Sequence, residues 1–525
     1  MTFRNELTWI NAVKSKREAD FHSRYEKAVE KVLDEVKKPA LHENIIGGRR
    51  THGRKSAPKA SPNDREIVLG EFQQGTSEDV NAAMKAAATA FDVWSNTDYV
   101  ERVQVFERAA DLYQRNKFEL AAALSLDNGK NRYEALADID EAIDFLKFYA
   151  GQMRLNDGFE NMLSVAYEDE RSYSMLRPYG VWSVICPFNF PVAISIGMAC
   201  GAMITGNTVL IKPSSTAPFA LYRSFQLLEQ AGLPPGVGNF IAGSGKEVGA
   251  AMTSHPNVEG IVFTGSKDVG FEILRSSLRS HPIPVIAEMG SKNPVIVTKN
   301  ADLEYAVKGV IGSAYGYGGQ KCSACSRVYI HRSLLSKFES MLVEGVKLLK
   351  VNDPIERDSS FGPVIEESKV KDYQDAATKG ARHGKLLCGG KRVMEGKLAR
   401  GNYVQPMVIS GLPPEHELVS KELFLPILCT QPFDTLEEAI DKANSSVFGL
   451  TAGIFTEEDA EAELFFRKIQ SGVVYANRRR GACTGAMVGA QAFSGWKASG
   501  STGKGTGSFY YLQQFLREQT RTVAW

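Results

Sequence analysis

"GVWSVICPFNFPVAISIGMACGAMITGNTVLIKP", residues 180–213, contains two short runs rich in Val and Ile, separated by an apolar stretch of helical length. Strands that are joined through a helix of this length cannot form a hairpin, so they need a crossover connection and pair in parallel. A parallel sheet is covered by helices on both faces, which explains why both runs are apolar throughout. The stretch therefore predicts a doubly wound α/β fold.

The same stretch raises the question of a membrane span, because no charged residue occurs between Arg177 and Lys212. Residues 191–211 have the length of a spanning helix. However, Pro191 and several glycines interrupt this segment, and Gly206 with Asn207 divides it in two. This pattern favours a buried helix followed by a buried strand, and we expect no membrane partner.

Similar units extend the pattern in both directions. Upstream, "TSED" (76–79) places a hydroxyl and an acid three residues apart and opens a helix, with Val80, Met84 and Ala87 on its apolar face. Downstream, a second series of strands begins at "IPVIAEMG" (283–290) and continues through "NPVIVT", "SRVYIH" and "AGIFT". We interpret the second series as a second α/β domain.

Composition points to a small-molecule ligand. The 525 residues are enough for two or three domains, and 62 Lys and Arg against 61 Asp and Glu give a net charge of +1. A chain without excess charge is not expected to bind nucleic acid or an anionic membrane. Seven dispersed cysteines, an odd number, suit a reducing compartment, so we expect a cytoplasmic protein.

The segment "YGYGGQKCSACSR" (315–327) places Cys322 and Cys325 in a C-x-x-C pattern. A structural zinc site needs two further Cys or His ligands at short spacing, and the other cysteines do not provide them, so no metal is predicted. The remaining interpretations are a thiol-exchange pair, two buried thiols, or a nucleophile beside a glycine-rich backbone that approaches a ligand.

Two glycine-rich turns are candidate phosphate sites. "GSGKEVG" (243–249) and "FTGSKDVG" (263–270) each follow a predicted strand and open a helix, where backbone N–H groups attract a pyrophosphate. Neither has the G-x-G-x-x-G spacing, so each is also compatible with a simple tight turn.

Three polar residues follow predicted strands. Asn189 lies in "CPFNFP", Glu288 lies in "AEMGSKNP" and Lys212 ends "TVLIK". Each has an ordinary alternative: a helix cap, an exposed turn acid and a solvated charge. A desolvated Glu288 would instead have a raised pKa and could act as a base.

Taken together, these motifs resemble those of the aldehyde dehydrogenase superfamily in order and spacing. The resemblance rests on "PFNFP", "IKPS", "FTGS", "EMGSK" and "GQKC", with "ELFLP" and "FSGWKASG" further on, and extends from about residue 45 to the C-terminus. "GQKCSACSR", "TGAMVG" and "YYLQQFLREQT" are most similar to the branch that oxidises glutamate semialdehyde, the 1-pyrroline-5-carboxylate dehydrogenases.

The resemblance implies an enzyme in which Cys322 is the nucleophile. Its thiolate adds to the aldehyde, the side-chain amide of Asn189 and the backbone N–H of Cys322 stabilise the oxyanion, and Glu288 activates water to hydrolyse the thioester. The implied reaction is NAD(P)-dependent oxidation of L-glutamate γ-semialdehyde to L-glutamate, as in proline catabolism. The implied partner is therefore a small aldehyde.

For the cofactor, the resemblance implies NAD bound by the residues Lys212, Ser215, Gly265, Ser266, Glu422 and Phe424. Ser215 stands where many NAD-specific relatives have a Glu that holds the ribose hydroxyls. A carboxylate there would repel a 2′-phosphate, so we expect that NADP is tolerated as well.

For the substrate, the resemblance implies that Ser323 and the backbone of Gly485 and Ala486 bind the α-carboxylate, while Phe493 packs on the aliphatic chain. The segment "NRRRGACTGAMVG" is longer before its "TGA" than is usual in this branch, and Leu425 and Ser291 replace family glycines. These departures leave other small carboxylated aldehydes open, such as succinate semialdehyde or 2,5-dioxopentanoate. A different class, a non-catalytic or C-x-x-C redox protein on the same fold, also stays open.

The resemblance implies the following organisation. Residues 1–286 hold N-terminal helices and an NAD(P)-binding domain, and residues 287–480 form the catalytic domain. Residues 481–525 supply the substrate anchor loop and a C-terminal strand, which with residues 157–177 forms a small β oligomerisation element. We therefore expect a homo-oligomer, a dimer or a dimer-based assembly.

Overall fold

The computed structural model describes residues 3–525 except 52, 54, 280 and 479–486. Helices and strands alternate through most of this length. The helices are α1 (Thr8–Lys14), α2 (Glu18–Val36), α3 (Ser77–Trp94), α4 (Tyr99–Asn128), α5 (Arg132–Leu155), α6 (Ala193–Ile204), α7 (Phe219–Gln230), α8 (Ala250–Ser254), α9 (Lys267–Ser276), α10 (Leu303–Tyr315), α11 (Leu335–Lys347), α12 (Glu367–His383), α13 (Glu417–Ser420), α14 (Leu436–Asn444) and α15 (Asp459–Lys468).

The strands are β1 (Leu41–His42), β2 (Asn44–Ile46), β3 (Arg49–Thr51), β4 (Ser56–Ala60), β5 (Val68–Gln73), β6 (Glu160–Met162), β7 (Glu170–Pro178), β8 (Val181–Ile185), β9 (Thr208–Lys212), β10 (Gly238–Phe240), β11 (Gly260–Thr264), β12 (Val285–Glu288), β13 (Asn293–Val297), β14 (Cys325–His331), β15 (Lys385–Cys388), β16 (Met407–Ser410), β17 (Ile427–Phe433), β18 (Phe448–Gly449), β19 (Thr451–Phe455), β20 (Val473–Ala476), β21 (Trp496–Lys497) and β22 (Leu516–Ala524).

The first large sheet has seven strands in the order β12-β11-β8-β9-β10-β2-β3. The pairs from β12 to β10 are parallel, whereas β2 and β3 add an antiparallel edge. β8 and β9 pair in parallel from Val181↔Thr208 to Ile185↔Lys212, with α6 as their crossover. The doubly wound α/β fold predicted from residues 180–213 is confirmed.

The strand in "IPVIAEMG" belongs to this first sheet. β12 pairs with β11 over four residues, from Ile261↔Val285 to Thr264↔Glu288. The sequence interpretation, which began the second series at this strand, is therefore wrong at this point. An apolar strand has the same composition in either sheet, and only its long-range pairing distinguishes the two.

The second large sheet has the order β15-β16-β17-β14-β13-β19-β20. Its pairs are parallel except that between β15 and β16 at one edge. The segments "NPVIVT", "SRVYIH" and "AGIFT" form β13, β14 and β19, as predicted.

The long helices α4 and α5 pack against α6 and hold much of the first core. α3 begins with the predicted capping box, in which Thr76 accepts from the N–H of Asp79 and the Asp79 side chain accepts from the N–H of Thr76. α4 ends at Gly129, whose φ of +82° lies in the left-handed region. A Cβ at Gly129 would also lie 2.9 Å from Pro363 Cγ, so glycine is required at the α4–α5 junction.

The last strand, β22, extends along β7, which also pairs with β6, and all three strands are antiparallel. Exposed apolar side chains occur on this small sheet and on the loop between β6 and β7, including Met162, Val165, Tyr167 and Val523. Among the helices described by the structure, none is long and apolar enough to span a membrane.

Candidate active site

One cavity lies where β8, β11 and β12 of the first sheet end and where the chain enters β14 of the second sheet. Its volume is about 820 Å³, which falls within the usual range for ligand sites. The walls contain most of the residues proposed from the sequence, namely Asn189, Gly265, Ser266, Glu288, Cys322, Ser323, Glu422, Phe424 and Phe493. Ligands collect at this edge of a parallel sheet, which agrees with the position of the cavity.

Cys322 follows a tight turn that is set by the glycine-rich run. Tyr317, Gly318 and Gly319 have φ values of +52°, +60° and +71°. A Cβ at Gly319 would lie 2.5 Å from the carbonyl oxygen of Leu425, so a side chain is excluded there by both backbone strain and contact. The turn presents Cys322 to the cavity.

The backbone of Cys322 is fixed by two neighbours. Its carbonyl oxygen accepts a hydrogen bond from the Asn293 side-chain amide at 2.8 Å and another from the Ser291 hydroxyl. Burial raises the pKa of the Cys322 thiol, and the negative charges of Glu422, Glu288 and Glu141 raise it further. The ligand-free site therefore holds this sulfur as a thiol at neutral pH.

Glu288 ends β12 and is half-buried. Its Oε2 is buried and makes no hydrogen bond within the part of the chain that the structure describes. Burial raises the pKa of Glu288 well above its ordinary value, although the N–H of Gly495 partly opposes this shift. A carboxyl group with one free oxygen beside the nucleophile has the properties of a general base.

Asn189 lies between β8 and α6, and its side chain is buried within the cavity wall. The preceding carbonyl, that of Phe188, accepts a hydrogen bond from the Asn128 side-chain amide at 3.1 Å. A buried amide opposite a nucleophile is a suitable donor to an oxyanion.

Gly265 and Ser266 lie at the end of β11, where Ser266 caps the ten-residue helix α9 and its hydroxyl accepts from the N–H of Val269. Glu422 accepts a hydrogen bond from the Ser291 N–H at 2.7 Å. Burial raises the pKa of Glu422 to about 7, even though that bond and the charge of Lys292 lower it. Phe424 has a left-handed φ of +59°, and its ring centroid lies 5.7 Å from that of Phe188.

Lys212 and Ser215 are not among the residues that line the cavity. The Lys212 side chain is buried, its ammonium donates to the carbonyl of Pro213 at 3.0 Å, and its stem lies 3.7 Å from the position of a Cβ at Gly249. Lys212 thus lies beside the turn Gly245–Gly249, and Ser214 is the member of this segment that reaches the cavity.

On the side expected to bind substrate, Ser323 is buried, and its carbonyl oxygen accepts from the Thr451 hydroxyl at 3.4 Å. Phe493 pairs with Thr506 through two backbone hydrogen bonds of 3.1 Å, and both line the cavity. Gly485 and Ala486 lie outside the described residues.

Two carboxylates in the wall were missed by the sequence analysis. Glu134 forms a bidentate ion pair with Lys321, at 2.8 and 2.6 Å. Burial alone would raise the pKa of Glu134, but the Lys321 ammonium holds it below its ordinary value. Burial, reinforced by the charge of Asp138, raises the pKa of Glu141 to about 8. Glu134 and Glu141 are seven residues apart on a buried helix, a spacing that could have indicated a shared polar stripe.

The C-x-x-C pattern is not a pair of equivalent thiols. Cys325 is buried at the start of β14, and its sulfur lies 3.5 Å from the carbonyl oxygen of Arg327, whereas Cys322 lines the cavity. No disulfide bond joins Cys322 to Cys325. In the described part of the chain, no group of three or more His, Cys, Asp or Glu side chains is arranged to hold a metal ion.

Comparison with known proteins identifies the class. A model described as "Aldehyde dehydrogenase family" matches residues 49–521. The chain therefore belongs to the aldehyde dehydrogenase family.

Within this family, the similar proteins include 1-pyrroline-5-carboxylate dehydrogenases and a betaine aldehyde dehydrogenase. A 1-pyrroline-5-carboxylate dehydrogenase of Geobacillus sp. (strain WCH70) is 38% identical over 506 residues, which cover 95% of each chain. A solved 1-pyrroline-5-carboxylate dehydrogenase from Thermus with bound NAD has a TM-score of 0.93 and 33% identity, covering 100% of this chain and 99% of that one. A betaine aldehyde dehydrogenase of Staphylococcus aureus in complex with NAD⁺ has a TM-score of 0.89 and 28% identity, with 95% and 97% covered.

Proposed function

We propose that this protein oxidises L-glutamate γ-semialdehyde to L-glutamate with NAD, as a 1-pyrroline-5-carboxylate dehydrogenase. The observation that carries the proposal is that Cys322, Asn189 and Glu288, which come from distant parts of the sequence, line one cavity together with Gly265, Ser266, Glu422 and Phe424. The names of the similar proteins support the choice of substrate.

Cys322 is assigned as the nucleophile. Its thiolate forms a bond to the aldehyde carbon, and the carbonyl oxygen takes the negative charge. The Asn189 amide and the backbone N–H of Cys322 donate to this oxyanion from the wall of the cavity. Loss of hydride from the same carbon leaves a thioester on Cys322.

Glu288 is assigned as the base of the second half-reaction. It accepts a proton from a water molecule, whose oxygen attacks the thioester carbon. The carbon–sulfur bond then breaks, which releases the carboxylic acid and returns the sulfur. Oε2 of Glu288 has no hydrogen-bond partner among the described residues, so it is the atom that is available for this proton.

The residues present fit a dinucleotide. Ser266 and the first N–H groups of α9 suit a pyrophosphate, and the Glu422 carboxylate suits ribose hydroxyls. When bound, NAD supplies a positively charged nicotinamide ring that accepts the hydride. Phe424 and Phe188 provide an apolar wall for a flat ring. We also propose that Lys212 acts on the adenine side of the cofactor and that Ser215 permits binding of NADP.

The substrate is proposed to lie between Ser323, Phe493 and the segment that contains Gly485 and Ala486. Glutamate semialdehyde also carries an α-ammonium group, which succinate semialdehyde and 2,5-dioxopentanoate lack. Glu141 is a half-buried carboxylate on the cavity wall, and its raised pKa indicates that a cation would be favourable beside it. This residue favours the amino-acid aldehyde over its two rivals.

A substrate panel tests the proposal. NAD reduction is followed with the three aldehydes at saturating cofactor, and we expect the highest kcat/KM for glutamate semialdehyde. Cys322→Ala should abolish turnover while NAD binding and folding remain, and mass spectrometry should find the acyl group on Cys322 when Glu288→Gln slows its hydrolysis. Equal dependence on Cys325 would favour the redox alternative, and an adduct on another side chain would contradict the mechanism.

We further propose a cytoplasmic location, which rests on the cysteine usage, and a homo-oligomer joined through β6, β7 and β22. We propose that residues 1–286, whose sheet also includes β12, bind the cofactor. Residues 287–480 then carry out catalysis. Residues 481–525 then supply the anchor loop and the assembly strand.

A further inference from the structure

The α4–α5 junction is bonded to both segments that hold the reacting groups. The Asn128 side chain donates to the carbonyl of Phe188, which directly precedes Asn189, at 3.1 Å. The carbonyl of Asn128 in turn accepts from the hydroxyl of Tyr317 at 2.7 Å, in the turn that leads to Cys322. Asn128 and Tyr317 are both fully or almost fully buried. One residue thus connects the Asn189 segment of the first sheet with the Cys322 segment of the second.

A buried ion pair that begins two residues after Asn128 contacts the residues that follow Asn189 in the chain. Lys130 and Asp138 are completely buried, with 2.7 Å between ammonium and carboxylate. The second carboxylate oxygen of Asp138 accepts from the Ala193 N–H at 2.7 Å, at the start of α6. The Lys130 ammonium lies 3.2 Å from the ring centroid of Phe190. The segment carrying Asn189 is therefore held at Phe188, at Phe190 and at Ala193.

This arrangement is not explained by stability alone. A buried ion pair contributes little net stability compared with apolar residues of the same volume, because both charges lose their hydration. The pair does impose a directional bond, from the Ala193 N–H to Asp138, and Asn128 adds two more. Each of these bonds joins a residue near Asn189 or in the turn that leads to Cys322. The geometry required of an oxyanion donor is narrow, since misplacement by about 1 Å costs about 100-fold in rate.

We propose that Asn128, Lys130 and Asp138 are positioning residues that fix the Asn189 amide relative to the Cys322 sulfur. The inference rests on the proposed function, because it assigns these residues a role in stabilising the oxyanion. None of the three lines the cavity. Their effect passes through the side chain of Asn189.

The main variant replaces both members of the ion pair, Lys130→Met with Asp138→Asn. The double variant removes both charges. Asp138→Asn alone would leave the charge of Lys130 buried without its partner, which is strongly destabilising. Tyr317→Phe is the second variant, because it removes one hydroxyl and conserves the ring. The matched control is Lys117→Met with Asp140→Asn, which removes another buried ion pair (3.6 Å) between α4 and α5 whose members do not line the cavity.

Each variant is made in the parent enzyme and in an Asn189→Ala background, and kcat and both KM values are measured with glutamate semialdehyde and NAD. We expect kcat to fall about tenfold in the parent, with the KM for NAD unchanged, and less than twofold in the Asn189→Ala background. The control should change kcat less than twofold in both. Thermal unfolding confirms that each variant is folded.

An equal fall in kcat with and without Asn189 would overturn the inference and leave the proposed function intact. A parent enzyme that oxidises none of the three aldehydes would overturn the proposed function, and this inference with it. A parent enzyme that oxidises glutamate semialdehyde, and whose kcat falls in the ion-pair and Tyr317→Phe variants only when Asn189 is present, supports both.

Discussion

The charged groups that shift the pKa of Cys322 are carboxylates rather than cations. Burial and the charges of Glu422, Glu288 and Glu141 all keep its pKa high, which is opposite to the environment of most reactive cysteines. We therefore expect the sulfur to react slowly with oxidants and alkylating reagents in the ligand-free enzyme. This arrangement can be tested directly in the ligand-free enzyme.

We expect the rate of Cys322 alkylation by iodoacetamide to increase about tenfold per pH unit between pH 7 and 9, because only the thiolate reacts. Glu422→Gln removes one negative charge and should accelerate alkylation at every pH in this range. Mass spectrometry assigns the label, and Cys325→Ala serves as the control. A rate that levels off below pH 7 would show a lowered pKa and contradict this account.

Glu141 provides a prediction about substrate choice. Glu141→Gln is expected to lower kcat/KM for glutamate semialdehyde about 10- to 100-fold, because a hydrogen bond to a charged group is lost. The kcat/KM for succinate semialdehyde, which has no ammonium group, should stay the same or rise. Glu101→Gln, at an exposed position on α4, is the matched control. Equal losses for both aldehydes would exclude a contact between Glu141 and the ammonium group.

At the scale of elements, the N-terminal segment supports the substrate side of the cavity. The Asn5 side-chain amide donates to Asp144 on α5 and to the carbonyl of Val488, both at 2.9 Å. Val488 follows two residues after Ala486, so this bond holds the exit of the proposed anchor loop. Phe3 packs against Phe148 of the same helix, with ring centroids 5.3 Å apart.

We expect Asn5→Ala to raise the KM for the aldehyde about threefold to tenfold, because the end of the anchor loop loses one of its fixed bonds. The KM for NAD should not change, since the partners of Asn5 are Asp144 and Val488, which are not among the proposed cofactor residues. Ser15→Ala, which removes an exposed local hydrogen bond in the same segment, is the control. An increase in the KM for NAD as well as for the aldehyde would indicate that the substitution disturbs the whole cavity rather than the anchor loop.

The sequence predicted those elements that are determined by interactions between residues close together in the chain. The capping box of Thr76 and Asp79 and the parallel pair β8–β9 could be read from a few neighbouring residues. The sheet to which β12 belongs could not, because its pairing with β11 is long-range. At the site, Cys322 and Glu288 were found through motifs, whereas Glu134 and Glu141 lie on a helix without one. Lys212 matched a motif, yet its side chain lies beside the cavity wall rather than on it.

At the scale of the whole molecule, several buried carboxyls make stability depend on pH. Burial raises the pKa of Asp127 to about 6, that of Asp144 and Glu422 to about 7, and that of Glu141 to about 8. For each group the folded pKa exceeds the unfolded pKa. Its contribution is therefore fully present below about pH 4 and is lost as the pH rises through the folded pKa.

The melting temperature of the Glu141→Gln variant should therefore exceed that of the parent by several degrees at pH 8.5, and by much less at pH 5.5. The amide cannot ionise, so the variant lacks the penalty that the parent acquires as the pH rises. Differential scanning fluorimetry at the two pH values measures the difference. An equal difference in melting temperature at both pH values would mean that the titration of Glu141 does not cause the difference.

The small sheet of β6, β7 and β22 is the proposed surface for assembly. Met162 and Tyr167, on β6 and the loop that follows it, are 68% and 67% exposed, and exposed large apolar side chains are typical of an interaction surface. Replacing both by Lys should shift the protein to smaller species in light scattering after size exclusion. Val93→Lys, at an isolated apolar position with 73% exposure, should leave the assembly intact. Unchanged mass in the double variant would contradict this surface.

The antiparallel ladder from Leu516↔Pro178 to Ala524↔Glu170 joins parts of the chain that lie about 350 residues apart. Phe515, directly before it, packs on Trp182, and its carbonyl accepts from Asn207, so the last residues also complete the interior of the first sheet. During translation the N-terminal half must therefore leave the ribosome with this interior unfinished. The polypeptide can close it only when Phe515 and β22 have also emerged, and until then the apolar surface of the unfinished interior is exposed to aggregation.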